Sequence, residues 1–138
     1  MLALFFSGAS FAQTISAPCT WEQVGAEYGV SPYILYGIAR VESRLNPQAI
    51  NTKNRNGSVD RGLMQINSVH LPVLEKSGIT ANTLMEDSCA NLRTGAWVMA
   101  KNIAKHGNTW KAVGKYNPGD PNYAAKVYNE LKKIGAVQ

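Results

Sequence analysis

Two carboxylates in the first half of the chain stand where glycosidic chemistry could use them. Glu42 closes an apolar, helix-like segment, and Asp60 follows 18 residues later across a turn-rich connection. Breaking a glycosidic bond takes a proton donor for the leaving oxygen and a group that stabilises or captures the oxocarbenium-like centre. A donor that works near neutral pH needs a carboxyl whose pKa is lifted by apolar surroundings. Of the nine acidic residues, Glu42, bordered by Val41 and Leu45, is the best placed for that role. A helical glutamate taken alone more often lies on a solvated face, so the residues around it decide.

The elements that must position these groups are mostly helices. Thr20-Trp21-Glu22-Gln23 has the pattern of a capping box ahead of a helix that ends near Gly29. Ser31-Pro32 supplies an N-cap and a first-turn proline. Ile34, Leu35, Ile38 and Val41 then form one apolar stripe, with Glu42 at its border. From Asn46 to Asp60 the asparagines, Pro47 and Asn56-Gly57 predict a loop or short β-ribbon with a tight turn.

Helical patterning resumes at Leu63. Asp87-Ser88 caps a long helix that Gly107 closes, and Thr109-Trp110 opens a short one running toward Tyr116. After Asn117-Pro118-Gly119, a last helix starts at Asp120-Pro121 and ends at Gly135. The fold class expected is α+β, mostly α, with a small β-hairpin insertion.

The 138 residues suffice for one domain with its own core. The first twelve look like the end of a secretory signal, with Ser10-Phe11-Ala12 directing cleavage before Gln13. No basic residue precedes the apolar run, and a short buried apolar terminus is the alternative. On the first reading, residues 13–138 form the mature domain, in the periplasm. No run is long enough for stable membrane insertion.

Cys19 and Cys89 fit an exported protein. A bridge between them would close a long loop and add about 4 kcal/mol by the loop-entropy estimate; two unpaired buried thiols are the alternative. No cysteine or histidine spacing calls for a metal, and no cofactor is expected. His70 and His106 read as ordinary surface or helix-end residues. The net charge of +5 favours an anionic partner. The lysines and arginines look scattered, without the basic stripe of a nucleic-acid binder.

Four ordered motifs carry a resemblance: Glu42-Ser43, Gly62-Leu63-Met64-Gln65-Ile66-Asn67, Ala90-Asn91-Leu92 and Tyr116-Asn117. Together they resemble the family 1 lytic transglycosylases, closest to the small single-domain members associated with secretion systems and pili. The resemblance implies a lysozyme-like fold and cleavage of the β-1,4 bond between N-acetylmuramic acid and N-acetylglucosamine in peptidoglycan. It also implies a 1,6-anhydro product.

On that resemblance Glu42 is the single catalytic acid and then the base for attack by the sugar's own 6-hydroxyl. Ser43 orders the site, Gln65 and the backbone around Met64 face the glycan, and Asn91 adds a polar contact in the cleft. Tyr116 hydrogen-bonds and orients Glu42, and Asn67 and Asn117 complete the substrate-facing set. Gly62 is expected to be structural, with Leu63 and Ile66 in the core.

Asp60 departs from that family, whose members lack a carboxylate just before the Gly-Leu-Met-Gln run. The arrangement also resembles c-type lysozymes, in which such an Asp is the second catalytic carboxylate. That likeness implies that Asp60 faces Glu42 across the cleft; otherwise it caps the turn or pairs with Arg61 or Arg55. A hydrolytic lysozyme and a non-catalytic glycan-binding or scaffold module are the alternative functions. The expected protein is a monomer, recruited by a component of an envelope-spanning secretion system or pilus.

Overall fold

The computed structural model describes residues 19–138, so the signal read at residues 1–12 lies outside the described part. Seven α-helices and one small antiparallel sheet make up that part. Helix α1 (Trp21–Tyr28) starts where Thr20 Oγ1 accepts the Gln23 backbone N–H at 3.0 Å. Helix α2 (Pro32–Ser43) begins with Pro32 in its first turn, where a missing N–H costs nothing. It buries Leu35, Ile38 and Ala39 completely. The last helix, α7 (Tyr123–Lys133), lies along α2 and buries Tyr123, Val127 and Leu131. The two form the centre of the core.

The segment after α2 folds into three two-residue strands: β1 (Ile50–Asn51), β2 (Asp60–Arg61) and β3 (Ile66–Asn67). They pair antiparallel in the order β1-β2-β3, with Asn51 opposite Asp60 and Asp60 opposite Asn67. The expected hairpin is therefore a three-stranded sheet, and the expected helix from Leu63 does not form. Gly62 and Gln65 have φ of 77° and 49°, which is incompatible with a continuing right-handed helix. Helical structure waits for a 3-10 turn at Ser68–His70 and the short α3 (Leu71–Glu75), with Asn67 capping that turn through Val69 N at 2.9 Å.

After α4 (Ala81–Glu86) comes the longest helix, α5 (Ser88–His106), capped as expected by Asp87, whose carboxylate accepts Ala90 N at 3.0 Å. Helix α6 (Trp110–Gly114) is capped by Thr109. Helix α7 starts three residues later than expected, because the Asp120 carboxylate accepts Asn122 N at 2.9 Å and keeps that stretch in a turn. Cys19 and Cys89 are joined, with Cα atoms 5.6 Å apart and 70 residues between them in sequence. The bridge ties the entry of α1 to the first turn of α5.

Candidate active site

A cleft of about 820 Å³ runs between the small sheet and the α5–α7 side of the molecule. Glu42, in the last turn of α2, lies on it, with Asp60 from β2. Chain direction behind Glu42 is set by left-handed residues. Arg44 and Leu45 have φ of 52° and 63° and turn the backbone toward the sheet. With Gln65 they are the non-glycine residues of positive φ among those described, and all three flank this cleft's carboxylates. Such conformations cost of order 1 kcal/mol each and persist where the surroundings impose them.

Burial, and after it the charge of Asp60, push the Glu42 carboxyl up to about 7. The Tyr123 hydroxyl opposes part of that rise. A carboxyl in this range exchanges protons readily near neutrality, as one acid/base residue must.

Asp60 sits in a different environment. Asn51 Nδ2 and Asn54 Nδ2 donate to its Oδ2 at 3.0 and 2.9 Å, and Asn67 Nδ2 donates to Oδ1 at 2.8 Å. Two of these donors are its direct cross-strand neighbours, so the sheet register itself builds the cradle. Asp60 neither caps a turn nor pairs with Arg61 or Arg55 among the described ion pairs. Asn51 and Asn54 escaped sequence reasoning because asparagines in a turn-rich stretch read as turn formers.

The Gly62–Asn67 run forms the turn beside Glu42. A Cβ at Gly62 would lie 2.2 Å from Asn91 Nδ2 and 2.7 Å from the Leu84 carbonyl oxygen, so only glycine fits. Asn91 is fully buried and does not reach the cleft, contrary to expectation. Its Nδ2 donates to Arg61 O at 2.8 Å and Leu84 O at 2.9 Å, and its Oδ1 accepts Met64 N at 2.7 Å. It braces the turn from behind. Ser43 does likewise from α2: its hydroxyl lies 2.7 Å from Leu63 O and 3.1 Å from Ala39 O.

Met64 is a core side chain, as is Ile66. Gln65 lines the cleft, but its Nε2 is committed to Ala49 O and Gly62 O, each at 3.0 Å. Asn67 and Asn117 both line the cleft.

Tyr116 corrects a second expectation. It lines the cleft, but its hydroxyl donates to the Met64 carbonyl at 2.7 Å instead of to Glu42. The phenol that addresses Glu42 is Tyr123, whose hydroxyl is buried and has no formed hydrogen bond among the described residues. In sequence Tyr123 is one more aromatic residue near a helix start, and nothing marks it. His70 also lines the cleft, edge-on to Trp97 with ring centroids 5.7 Å apart. Its half-buried ring and the nearby Lys101 hold its pKa below the usual value. Among the described residues no three His, Cys, Asp or Glu side chains group as metal ligands.

Comparison with known proteins identifies the family. Residues 19–135 match the transglycosylase SLT domain family. The chain is 37% identical over 129 residues to invasion protein IagB of Salmonella typhimurium (strain SL1344), covering 88% of this chain and 79% of the relative. It is 33% identical over 141 aligned positions to a peptidoglycan-binding-like protein of Escherichia coli O157:H7, covering 92% and 82%. It is 32% identical over 124 residues to protein IpgF of Shigella flexneri, covering 84% and 81%. The chain, with its mostly helical fold around a two-carboxylate cleft, belongs to the transglycosylase SLT family and is a peptidoglycan lytic transglycosylase.

Proposed function

We propose that Glu42 is the single acid/base of this transglycosylase, acting on the β-1,4 bond between N-acetylmuramic acid and N-acetylglucosamine, and that Asp60 stabilises the positive charge that develops. The protonated Glu42 carboxyl delivers its proton to the bridging oxygen as the C1–O bond breaks. The resulting Glu42 carboxylate then takes the proton of the muramyl 6-hydroxyl as that oxygen bonds to C1, closing the 1,6-anhydro ring. Glu42 ends as it began. The observation that carries this reading is the contrast across one cleft: a half-buried carboxyl at about 7 facing an amide-cradled one.

The cradle favours electrostatic stabilisation over covalent capture. Both Asp60 oxygens accept amide protons, which occupy lone pairs that a nucleophile needs. A hydrolytic outcome is the second reading, favoured by the same residue, since two carboxylates are what a retaining glycosidase uses. Mass spectrometry of digested peptidoglycan tests both. Anhydro ends are expected from the wild type, none from Glu42→Gln, and strongly reduced release from Asp60→Asn. Reducing ends would establish hydrolysis, and an Asp60→Asn variant of full activity would remove Asp60 from the reaction. Full function of Glu42→Gln would leave the scaffold reading.

Action in the periplasm, with recruitment by a secretion system or pilus, belongs to the same proposal. It is supported by the peptidoglycan substrate and by likeness to a protein named for invasion. A purified enzyme whose rate no apparatus component altered would overturn the recruitment.

A further inference from the structure

The net charge of this protein is not spread over it. Residues 88–119 hold Arg93, Lys101, Lys105, Lys111 and Lys115 and contain no aspartate or glutamate. The other nine basic residues are matched by the nine acids, so this one stretch accounts for the whole net charge of +5. Arg93 is neutralised by Glu27 at 2.9 Å. The four lysines have no ion-pair partner among the described residues.

Folding gathers what looks scattered in sequence. Lys101 and Lys105 stand one turn apart on α5, and Lys111 and Lys115 are likewise spaced four residues apart on and just past α6, which packs against α5. His106, at the end of α5, has its pKa lowered first by desolvation and then by the charges of Lys111, Lys115 and Lys105 together. Lys101 and Lys115 line the cleft itself. The Lys101 ammonium is held 3.7 Å from the centroid of the Trp97 ring, which fixes a flexible side chain in place. Lys126, the other cleft lysine, is spent on Asp120 at 2.6 Å. The sheet side of the cleft carries Asn51, Asn54, Asn67 and Asp60 and offers no cation. One wall of the cleft is cationic and the other is amide-lined.

On a stem-bearing strand the sugars themselves carry no charge, because the lactyl carboxyl of each N-acetylmuramic acid is tied up in the amide bond to its stem, so a cationic wall adds nothing to their recognition. The charge in peptidoglycan lies on the carboxylates of the peptide stems that branch from alternate sugars. We propose that Lys101 and Lys115, backed by Lys105 and Lys111, receive those stem carboxylates, so that the enzyme selects peptide-bearing over denuded glycan. This rests on the cleft being the glycan site, and it adds a substrate preference to that reading.

The test measures cleavage of soluble uncrosslinked strands with their stems and of the same strands after an amidase has removed them, which leaves only the short lactyl carboxylate on each muramyl residue. The wild type is expected to prefer stem-bearing strands on the order of five-fold at low salt, as two exposed ion pairs allow. Raising the ionic strength should shrink that ratio. In Lys101→Ala/Lys115→Ala the ratio falls toward one and loses its salt dependence, and Lys101→Arg/Lys115→Arg keeps it. A wild-type ratio of one or below, or an unaltered ratio in the double alanine variant, would overturn the proposal. Glu42→Gln on both substrates separates the two readings: retained cleavage there would displace the site and not the preference.

Discussion

Tyr116 and Tyr123 stack with ring centroids 6.1 Å apart and planes within 13° of parallel, yet their hydroxyls do different work. That of Tyr116 anchors the Met64 carbonyl and so fixes the turn; that of Tyr123 is left for Glu42. The two substitutions therefore separate. Tyr123→Phe removes a group that favours the charged carboxyl, so the Glu42 pKa rises above about 7 and the alkaline limb of the pH–rate profile moves up. Stability changes little, because no formed bond is lost. Tyr116→Phe strands a carbonyl and costs about 1 kcal/mol in thermal melts. Equal pH profiles for wild type and Tyr123→Phe would count against the assignment.

Glu42 makes stability depend on pH in a fixed direction. Its folded-state pKa of about 7 lies above the ordinary value of 4.5, so the native state holds its proton more tightly than the unfolded chain. The associated stability is full below about pH 4.5 and is lost as pH rises through 7. Glu42→Gln is neutral throughout. It should gain on the wild type between pH 5 and 8, by on the order of 2 kcal/mol after discounting for partial exposure. Parallel melts across that range check this, and a constant gap would refute it.

Two glycines of the same backbone class should respond differently. Gly57 and Gly62 have φ of 78° and 77°, but an added Cβ meets nothing within 4 Å at Gly57, whereas at Gly62 it strikes Asn91. Gly57→Ala pays only the conformational cost, about 1 kcal/mol. Gly62→Ala also breaks the Asn91 brace and should cost roughly 3 kcal/mol or more, or fail to fold. Denaturant midpoints of the two variants decide it.

Removing the disulfide should destabilise without disarming. Cys19 and Cys89 close a span of 70 residues and lie away from the cleft lining. Cys19→Ser/Cys89→Ser is expected to lose about 4 kcal/mol. At temperatures where the variant stays folded, its specific activity should match the wild type; a selective loss of activity would tie the bridge to the site.

Local chemistry made much of this legible in sequence. Caps at Thr20, Asp87 and Thr109 act within three residues of themselves, so they could be read and were found. The ordered motifs placed Glu42 and the Gly62–Asn67 run at one site for the same reason: their spacing is a property of the chain. The helix expected from Leu63 failed because the apolar period there serves a turn packed on Asn91, 27 residues away.

By itself, then, the sequence determined the mostly helical class and the family, and it marked the two carboxylates Glu42 and Asp60. Only the tertiary structure decided what each polar group addresses. It assigned Asn91 to the turn's backbone, Tyr116 to Met64, Tyr123 to Glu42, and three asparagines to Asp60. It also brought Lys101 and Lys115 to the cleft from separate parts of the sequence. The physical reason is range: caps and turns depend on neighbours in the chain, whereas hydrogen bonds and charges act over a few ångströms between residues that only folding brings together.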